Sequence, residues 1–362
     1  MLIGGVRPRE RCKFHGSAID HYHLARRTKK MPKPATTLHW ITERAARHGV
    51  TLLDRVEPNA EEDRAGLVAG IFGSPATIAP KYFYDGLGCA LFEAICALPQ
   101  YYPTRTERAI LTAHRDEIVR ATGTRKQLVD LGAGDCAKAA LLLPVAQPRR
   151  YVAVDIAASA IRPALLRMAQ AFPGVELFGV VTDFSRRLDI RGAIDSGPVT
   201  FFYPGSSIGN FTSDEALLML CRIRELCTSG SGLLIGVDTK KDRARLHAAY
   251  NDPLGVTAAF NRNILNHVNA ILGTDFDPSA FAHVAFYRSE IGRIEMHLEA
   301  MSTQHVHYDG TERVIAAGER IHTENSYKYA PDEFRALLQR AGFADISLWQ
   351  DDAADFAVYY AE

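Results

Sequence analysis

The spacing of apolar residues changes along the chain. Residues 37–108 place them every three to four positions, which predicts helices interrupted by prolines. Further on, short apolar runs alternate with helical segments, and this combination predicts a parallel sheet with helices on both faces. The predicted strands are 127–131, 151–156, 175–181, 199–203 and 232–237, and the predicted helices between them are 138–146, 158–171 and 213–228.

The last part of the chain departs from this alternation. Residues 240–272 have a helical pattern, and residues 293–300 alternate as a half-buried antiparallel strand does. A helix at 331–342 and strands at 346–349 and 356–360 then complete the first sheet. This order predicts an α/β fold of the class I methyltransferase type, with a Rossmann-like, seven-stranded, mostly parallel sheet and a second α+β substrate-binding domain. Dehydrogenases share the parallel half, so particular residues have to indicate the chemistry.

Composition narrows the possible functions. The 42 Lys and Arg residues balance 42 Asp and Glu residues, so no net charge attracts nucleic acid or an anionic membrane. The apolar stretches are shorter than the roughly 20 residues that span a bilayer. The six cysteines form neither a CxxC pair nor a zinc pattern. We therefore expect a cytoplasmic protein with reduced thiols, no metal site, and no nucleic-acid or membrane partner.

A glycine-rich turn follows the first strand of the predicted parallel sheet. Its sequence is VDLGAGDCA at 129–137, and Gly132 and Gly134 let the backbone turn tightly against a ligand. Asp155 ends the next predicted strand, where a carboxylate binds the ribose hydroxyls of a dinucleotide or of an adenosyl cofactor. The turn thus predicts a nucleotide-type cofactor of one of these two kinds.

Charge distinguishes the two cofactors. Asp130 and Asp135 flank the glycines and would repel the pyrophosphate of a nicotinamide dinucleotide, whereas the sulfonium and ammonium of S-adenosylmethionine (SAM) would attract them. Lys138 could bind the methionine carboxylate, and Asp183 and Phe184 could bind the adenine amino group and ring face. The alternatives are a solvated charge for Lys138 and a helix cap for Asp183.

The loop after the fourth parallel strand is rich in glycine. Gly205 and Asn210 lie in it, at the sheet edge where ligands of open α/β sheets bind, and they suit a small polar substrate. The Asn/Asp-Pro-Pro-aromatic signature of nucleobase methyltransferases is missing, which argues against a flipped base. The alternative interpretation is a turn in which Asn210 caps the next helix.

Several long motifs resemble the L-histidine Nα-methyltransferases of ergothioneine biosynthesis, a histidine-specific, SAM-dependent family. The resemblance runs from about residue 80 to the C terminus. The motifs are YFYDGLG at 82–88, LPQYYPTRTER at 98–108, GSSIGN at 205–210, GVTAAFNRN at 255–263, RIEM at 293–296 and TENS at 323–326.

The resemblance implies three methyl transfers from SAM to the α-amine of free L-histidine, which give hercynine in the first step of ergothioneine biosynthesis. It implies that Asn210 lies beside the substrate amine, with Gly205 nearby. Tyr84 would lie at the pocket mouth as a second catalytic candidate, and Tyr250 would contact the carboxylate of the substrate. The other implied contacts are Tyr101, Met296, Glu324 and Ser326 for the imidazole ring, and Gly132, Lys138, Asp155, Asp183 and Phe184 for the cofactor.

The residue types at 324 and 326 agree with a histidine substrate. Two residues apart on an extended segment, Glu324 and Ser326 point to one side and can bind both ring nitrogens. An amino acid without those nitrogens would leave Glu324 unpaired, and the enzyme would discriminate against it in kcat/KM by a factor of up to roughly 10⁴–10⁵. The alternatives are a surface carboxylate at Glu324 and plain core packing for Met296.

These inferences define a domain organisation. We expect residues 37–108 and 239–327 to form the substrate-binding domain, residues 109–238 and 328–362 to form the SAM-binding domain, and the basic residues 1–36 to be a disordered tail. We expect a monomer that acts on L-histidine. The rival functions are N-methylation of another small amine, such as a tryptophan-like compound or a modified histidine, a nicotinamide-dependent oxidoreductase, and a silent adenosyl-binding module.

Overall fold

The computed structural model describes residues 42–45, 49–55 and 60–362. The strands are β1 (Thr42–Ala45), β2 (Val50–Asp54), β3 (Ala76–Thr77), β4 (Gln127–Leu131), β5 (Arg150–Asp155), β6 (Glu176–Val181), β7 (Val199–Tyr203), β8 (Gly232–Asp238), β9 (Phe281–Arg288), β10 (Arg293–Ala300), β11 (Gln304–Tyr308), β12 (Thr311–Ile315), β13 (Arg320–Tyr327), β14 (Ile346–Gln350) and β15 (Phe356–Ala361). The helices are α1 (Ala60–Ile71), α2 (Gly86–Ala97), α3 (Tyr102–Ala113), α4 (Arg115–Thr122), α5 (Ala137–Ala146), α6 (Ala158–Ala171), α7 (Ser213–Leu226), α8 (Arg243–Tyr250), α9 (Val256–Leu272) and α10 (Pro331–Arg340).

The main sheet has the strand order β1-β2-β6-β5-β4-β7-β8-β15-β14. Strands β2, β6, β5, β4, β7 and β8 run parallel, and β1, β15 and β14 pair antiparallel with their neighbours. Helices α7 and α10 pack on one face, and helices α3 to α6 pack on the other. The Rossmann-like, mostly parallel α/β fold is confirmed, and each predicted strand of this sheet agrees with an observed one to within a residue.

The predicted count of seven strands is wrong, because β1 and β2 extend the sheet beyond β6 to nine strands. They lie in a segment whose apolar spacing predicted helices. Strand β2 is the five-residue run VTLLD, and such a short apolar run fits a strand and a helical turn equally well.

A second sheet has the strand order β3-β13-β10-β9. Strand β10 pairs antiparallel with both neighbours, as its alternating sequence predicts. The single helix predicted at 240–272 is two helices, because Pro253 and Gly255 lie between α8 and α9 and Gly255 has a left-handed backbone. The Asp252 carboxylate accepts hydrogen bonds from the first two backbone N–H groups of α9.

Besides the hydrophobic cores on the two faces of the main sheet, a third core lies under this second sheet and contains side chains of α1, α2, α8 and α9. It draws on both segments assigned to the substrate-binding domain, although β1 and β2 of the first segment belong to the main sheet. The domain division therefore stays a prediction, and residues 1–36 lie outside the described residues. Within the described part of the chain, no helix is long and apolar enough to cross a membrane.

Candidate active site

The glycine turn lies at the carboxyl edge of the main sheet, between β4 and α5. Gly132 and Gly134 have φ angles of 71° and 51°, which only glycine adopts freely. The Asp155 carboxylate at the end of β5 accepts hydrogen bonds from the backbone N–H groups of Gly134 and Ala157, each at 2.9 Å. A Cβ at Gly134 would meet no atom within 4 Å, so the turn presents an open backbone surface to a ligand.

The acids beside the turn differ from the expectation. Asp135 is exposed and accepts a hydrogen bond from the Ala137 N–H at the start of α5. Asp130, however, is fully buried in β4 and accepts a hydrogen bond of 2.7 Å from the Tyr151 hydroxyl. Burial raises the pKa of Asp130 to about 7. Of the two acids expected beside the cofactor, only Asp135 is therefore exposed at the turn, and a contact of Asp130 with the cofactor stays a prediction.

Phe184 and Asp183 follow β6. The Phe184 ring packs edge-on against Tyr203, and its Cζ would lie 3.9 Å from a Cβ at Gly132, so the ring flanks the turn. The Asp183 carboxylate pairs with Lys81 at 3.2 Å and accepts a hydrogen bond from Ser185. No helix of the described residues begins at Asp183, so the helix-cap alternative is wrong.

Lys138 pairs with a buried carboxylate, so it is not a free solvated charge, although its own side chain is 22% exposed. Its ammonium lies 2.5 Å from Oε2 of Glu107, which is fully buried. Both carboxylate oxygens of Glu107 lie 3.0 Å from the backbone nitrogen of Gly205, which donates to them. Glu107 thereby connects the helix after the glycine turn to the loop after β7. Nothing in the sequence indicates this role of Glu107, although the residue lies in the LPQYYPTRTER motif.

The loop after β7 contacts the second sheet. Gly205 has a φ angle of 83°, and residues 207–210 form a 3₁₀ turn that packs on β13. A Cβ at Gly209 would lie 2.7 Å from the carbonyl oxygen of Tyr327, so only glycine allows this close approach. Helix α7 is capped by Thr212, which excludes Asn210 as its cap. The Asn210 amide makes no hydrogen bond to any described residue.

Glu324 lies on β13 opposite Met296 of β10, and Ser326 lies opposite Ile294. The two β10 residues are buried in the third core, so Glu324 and Ser326 face the interior side of the second sheet. Glu324 is partly exposed, and no residue of the described chain donates a hydrogen bond to its carboxylate. Burial raises its pKa to about 7, although the Lys328 charge opposes the shift. The surface-carboxylate alternative is wrong.

Three tyrosines surround this carboxylate. Tyr101 and Tyr250 meet edge-to-face at 6.4 Å, and the ring of Phe92 lies 5.9 Å from Tyr84 and 6.3 Å from Tyr101. The pKa of the Tyr84 phenol is well above its usual value because of burial and because the carboxylates of Glu324 and Asp155 both act on it. Tyr84 therefore lies within electrostatic range of both Asp155, beside the glycine turn, and Glu324, on the interior face of the second sheet.

Ser326 belongs to a buried network that the sequence did not reveal. Its Oγ accepts hydrogen bonds of 2.8 Å from the Tyr250 hydroxyl and from the Lys328 ammonium. Lys328 also donates to the Tyr250 oxygen at 3.0 Å and pairs with Asp238 at 2.7 Å. Lys328 was missed because a lysine between two tyrosines gives no sign that it is buried.

The structure gathers the expected residues into two groups. Gly132, Gly134, Asp155 and Phe184 lie at the carboxyl edge of the main sheet, and Lys138 follows in the first turn of α5. The second group combines residues on the interior face of the second sheet with three neighbouring tyrosines. The sheet residues are Met296, Glu324 and Ser326, and the tyrosines are Tyr84, Tyr101 and Tyr250. Met296 is a core residue, and its contact with the ring stays a prediction.

A glycine turn at the carboxyl edge of a Rossmann-like sheet, with an aspartate at the end of the next strand, is the arrangement of enzymes that bind nucleotide-type cofactors, and SAM-dependent methyltransferases are one such class. A family model described as "Histidine-specific methyltransferase, SAM-dependent" matches residues 62–362, and the chain belongs to this family. The protein is therefore an enzyme that uses SAM.

Several curated proteins are similar to the chain over most of their length. A Histidine N-alpha-methyltransferase of Mycolicibacterium smegmatis is 40% identical over 308 residues, which cover 83% of this chain and 95% of that protein. A Histidine N-alpha-methyltransferase of Mycobacterium tuberculosis is 39% identical, with 82% and 94% covered. A 4-dimethylallyltryptophan N-methyltransferase of Penicillium roqueforti is 24% identical, with 81% and 91% covered.

Proposed function

We propose that this enzyme methylates the α-amine of free L-histidine three times and releases hercynine. The observation that carries the proposal is the unpaired carboxylate of Glu324, which shares the interior face of β13 with the hydroxyl of Ser326. A ligand with two ring nitrogens at the right separation matches these two groups. The names of the mycobacterial relatives support the same substrate.

The residues at the glycine turn fit SAM, which supplies a methyl group on a positively charged sulfur when bound. The open backbone at Gly134 leaves room for a ligand to approach closely. The Asp155 carboxylate keeps lone-pair capacity for a ribose hydroxyl beyond its backbone hydrogen bonds, and Phe184 offers a ring face beside Gly132. We propose that these residues, with Asp183 and Lys138, hold the cofactor.

Asn210 is the proposed residue that orients the substrate amine. Methyl transfer requires the amine lone pair to be in line with the bond that breaks, so alignment contributes much of the acceleration. The free amide of Asn210 can accept a hydrogen bond from the amine and hold it in that direction. The loop is fixed for this purpose by Glu107 at Gly205 and by the contact of Gly209 with β13.

Tyr84 acts as a neutral phenol in this proposal. Its raised pKa excludes a phenolate at neutral pH, so the hydroxyl is suited to hydrogen-bond the amine or a water molecule rather than to remove a proton as a strong base. The positively charged sulfur of bound SAM would lower the pKa of the substrate ammonium, and the proton released from the ammonium can leave to water.

Glu324 also distinguishes histidine from the rival substrates. An indole ring has one N–H and no second nitrogen, so a tryptophan-like substrate could pair with Glu324 but would leave the Ser326 hydroxyl proton without an acceptor in the substrate. Leaving buried polar groups unpaired costs about 1–3 kcal/mol each. Histidine should therefore be the preferred amino acid.

The test is a substrate screen. The purified full chain is incubated with SAM and each of the twenty amino acids, and the release of S-adenosylhomocysteine is measured. We expect release with histidine alone, and its loss in Glu324→Ala while SAM binding, measured by calorimetry, is retained. Faster release with tryptophan than with histidine would refute the substrate assignment.

A further inference from the structure

Lys328 places a fixed positive charge behind the substrate face of β13. Only 2% of the residue is exposed, and its ammonium donates to Ser326, Tyr250 and Asp238 at 2.8, 3.0 and 2.7 Å. An ammonium has three N–H groups, and all three are used. Lys328 therefore has no donor left for a ligand and acts only through its neighbours.

The hydrogen bonds at Ser326 determine what its hydroxyl can still do. A serine hydroxyl has two lone pairs and one proton. The lone pairs take the hydrogen bonds from Lys328 and Tyr250, so only the proton remains available. Apart from the Tyr250 oxygen, whose own proton is already donated to Ser326, no acceptor for the Ser326 proton lies within hydrogen-bond distance among the residues that the structure describes. Ser326 therefore offers a donor to the pocket, while Glu324 on the same face offers an acceptor.

We propose that this polarity makes the enzyme bind histidine with a neutral imidazole ring. The ring donates its one N–H to Glu324 and accepts the Ser326 proton at its bare nitrogen, and Lys328 is the positioning residue that imposes the arrangement. The inference rests on the proposed function, because it concerns the form of the same substrate. A charged imidazolium has donors at both nitrogens and would place one donor against the Ser326 donor.

The charges around the ring argue against the reverse polarity, in which Ser326 donates to Tyr250 and accepts a ring proton. That arrangement would bring a second cation close to Lys328. Behind Ser326, Asp238 is shared by the ammonium groups of Lys328 and Lys241, so this cluster carries a net positive charge that disfavours another cation. The titratable and charged groups around the ring site are Tyr84, Cys89, Cys96, Tyr101, Asp155, Tyr250, Glu324 and Lys328, with Asp238 and Lys241 behind.

The test compares histidine with β-(1,2,4-triazol-3-yl)alanine, whose ring keeps an N–H and a bare nitrogen and stays neutral across the range. The ratio of kcat/KM for histidine to kcat/KM for the triazole is measured from pH 5 to 8.5. Ionisations of the enzyme and of the α-amine affect both substrates and cancel in the ratio. We expect the ratio to fall about tenfold per pH unit below the ring pKa of about 6.5.

Several results would contradict the inference. A ratio that stays constant or rises in acid would show that the charged ring is bound, and a triazole that is not methylated at any pH would also overturn the neutral-ring proposal. Both outcomes leave the proposed function standing if histidine is methylated. A failure to methylate histidine at every pH would instead refute the proposed function and the inference with it.

Lys328→Met tests the positioning role. This variant removes the charge and frees Ser326 to accept, so the ratio should level off in acid instead of continuing to fall. The matched control is Lys240→Met, which removes an exposed lysine paired with Glu333 and should keep the wild-type curve. A folded Lys328→Met enzyme with the wild-type curve would overturn the role of Lys328. If this variant does not fold, the wild-type ratio still decides the neutral-ring proposal.

Discussion

Replacing Asp238 with asparagine should destabilise the protein strongly. Asp238 is fully buried at the end of β8, and its carboxylate accepts hydrogen bonds from the Tyr102 hydroxyl at 2.8 and 2.9 Å and pairs with Lys241 and Lys328. These partners lie on α3, before α8 and after β13. Asparagine keeps the volume of the side chain but leaves two buried ammonium groups without a counter-ion.

Removing one partner of a buried ion pair costs about 3–5 kcal/mol, because the remaining charge stays desolvated. For a chain of this size, we expect the melting temperature to fall by roughly 4–7 °C. The pKa of Asp238 is below its usual range because Lys328 and Lys241 outweigh the effect of burial. The difference between wild type and variant should therefore be complete above about pH 4, the pKa of an unfolded aspartate, and shrink as the pH falls further.

The assay is thermal unfolding by calorimetry at pH 7.5 and at lower pH values. The control is Asp195→Asn, which breaks an exposed pair with Arg149 and should change the melting temperature little. The double variant Asp238→Asn/Lys328→Met should lose less than Asp238→Asn alone, because one of the two uncompensated charges is gone. Equal melting temperatures for Asp238→Asn and wild type at pH 7.5 would refute the reasoning.

Three further changes test the site. Burial raises the pKa of Glu324 to about 7, so its carboxylate becomes ionised as the pH rises through this value. Triazolylalanine should therefore bind more tightly above pH 7 than below it, as measured by calorimetry. In Glu324→Gln, the affinity for triazolylalanine should not change with pH. Asn210→Ala should lower kcat by about 10- to 100-fold in steady-state assays, which is more than any substitution of a pocket tyrosine should do. An unchanged kcat would show that Asn210 does not orient the amine. Glu107→Gln removes the charge opposite Lys138 and should lower the free energy of unfolding by about 2–3 kcal/mol, measured by denaturant titration. It should also reduce kcat, and full activity would contradict the role of Glu107 at Gly205.

Much of the fold follows from local patterns, and the missed parts depend on tertiary contacts. Strands β4 to β8 are continuous apolar runs, and β10 alternates, so periodicity identifies them. Strand β2 is too short for periodicity to decide, and only its pairing with β6 makes it a strand.

The site follows the same division. Motif residues such as Asp155 and Glu324 were placed correctly at the edge of the main sheet and on an extended segment of the second sheet. The partners that fix them were not found, because the pairing of Glu107 with Lys138 joins residues 31 positions apart and that of Lys328 with Asp238 joins two separate sheets. The burial of Asp130 also depends on the strands on either side of it.

The most direct test of the central claim is the structure of the reaction product. The full chain is incubated with histidine and excess SAM, and the product is analysed by mass spectrometry and proton NMR. We expect one final product with three equivalent methyl groups on the α-nitrogen and an unmodified imidazole ring. A methyl group on a ring nitrogen, or a reaction that stops after one methyl transfer, would contradict it.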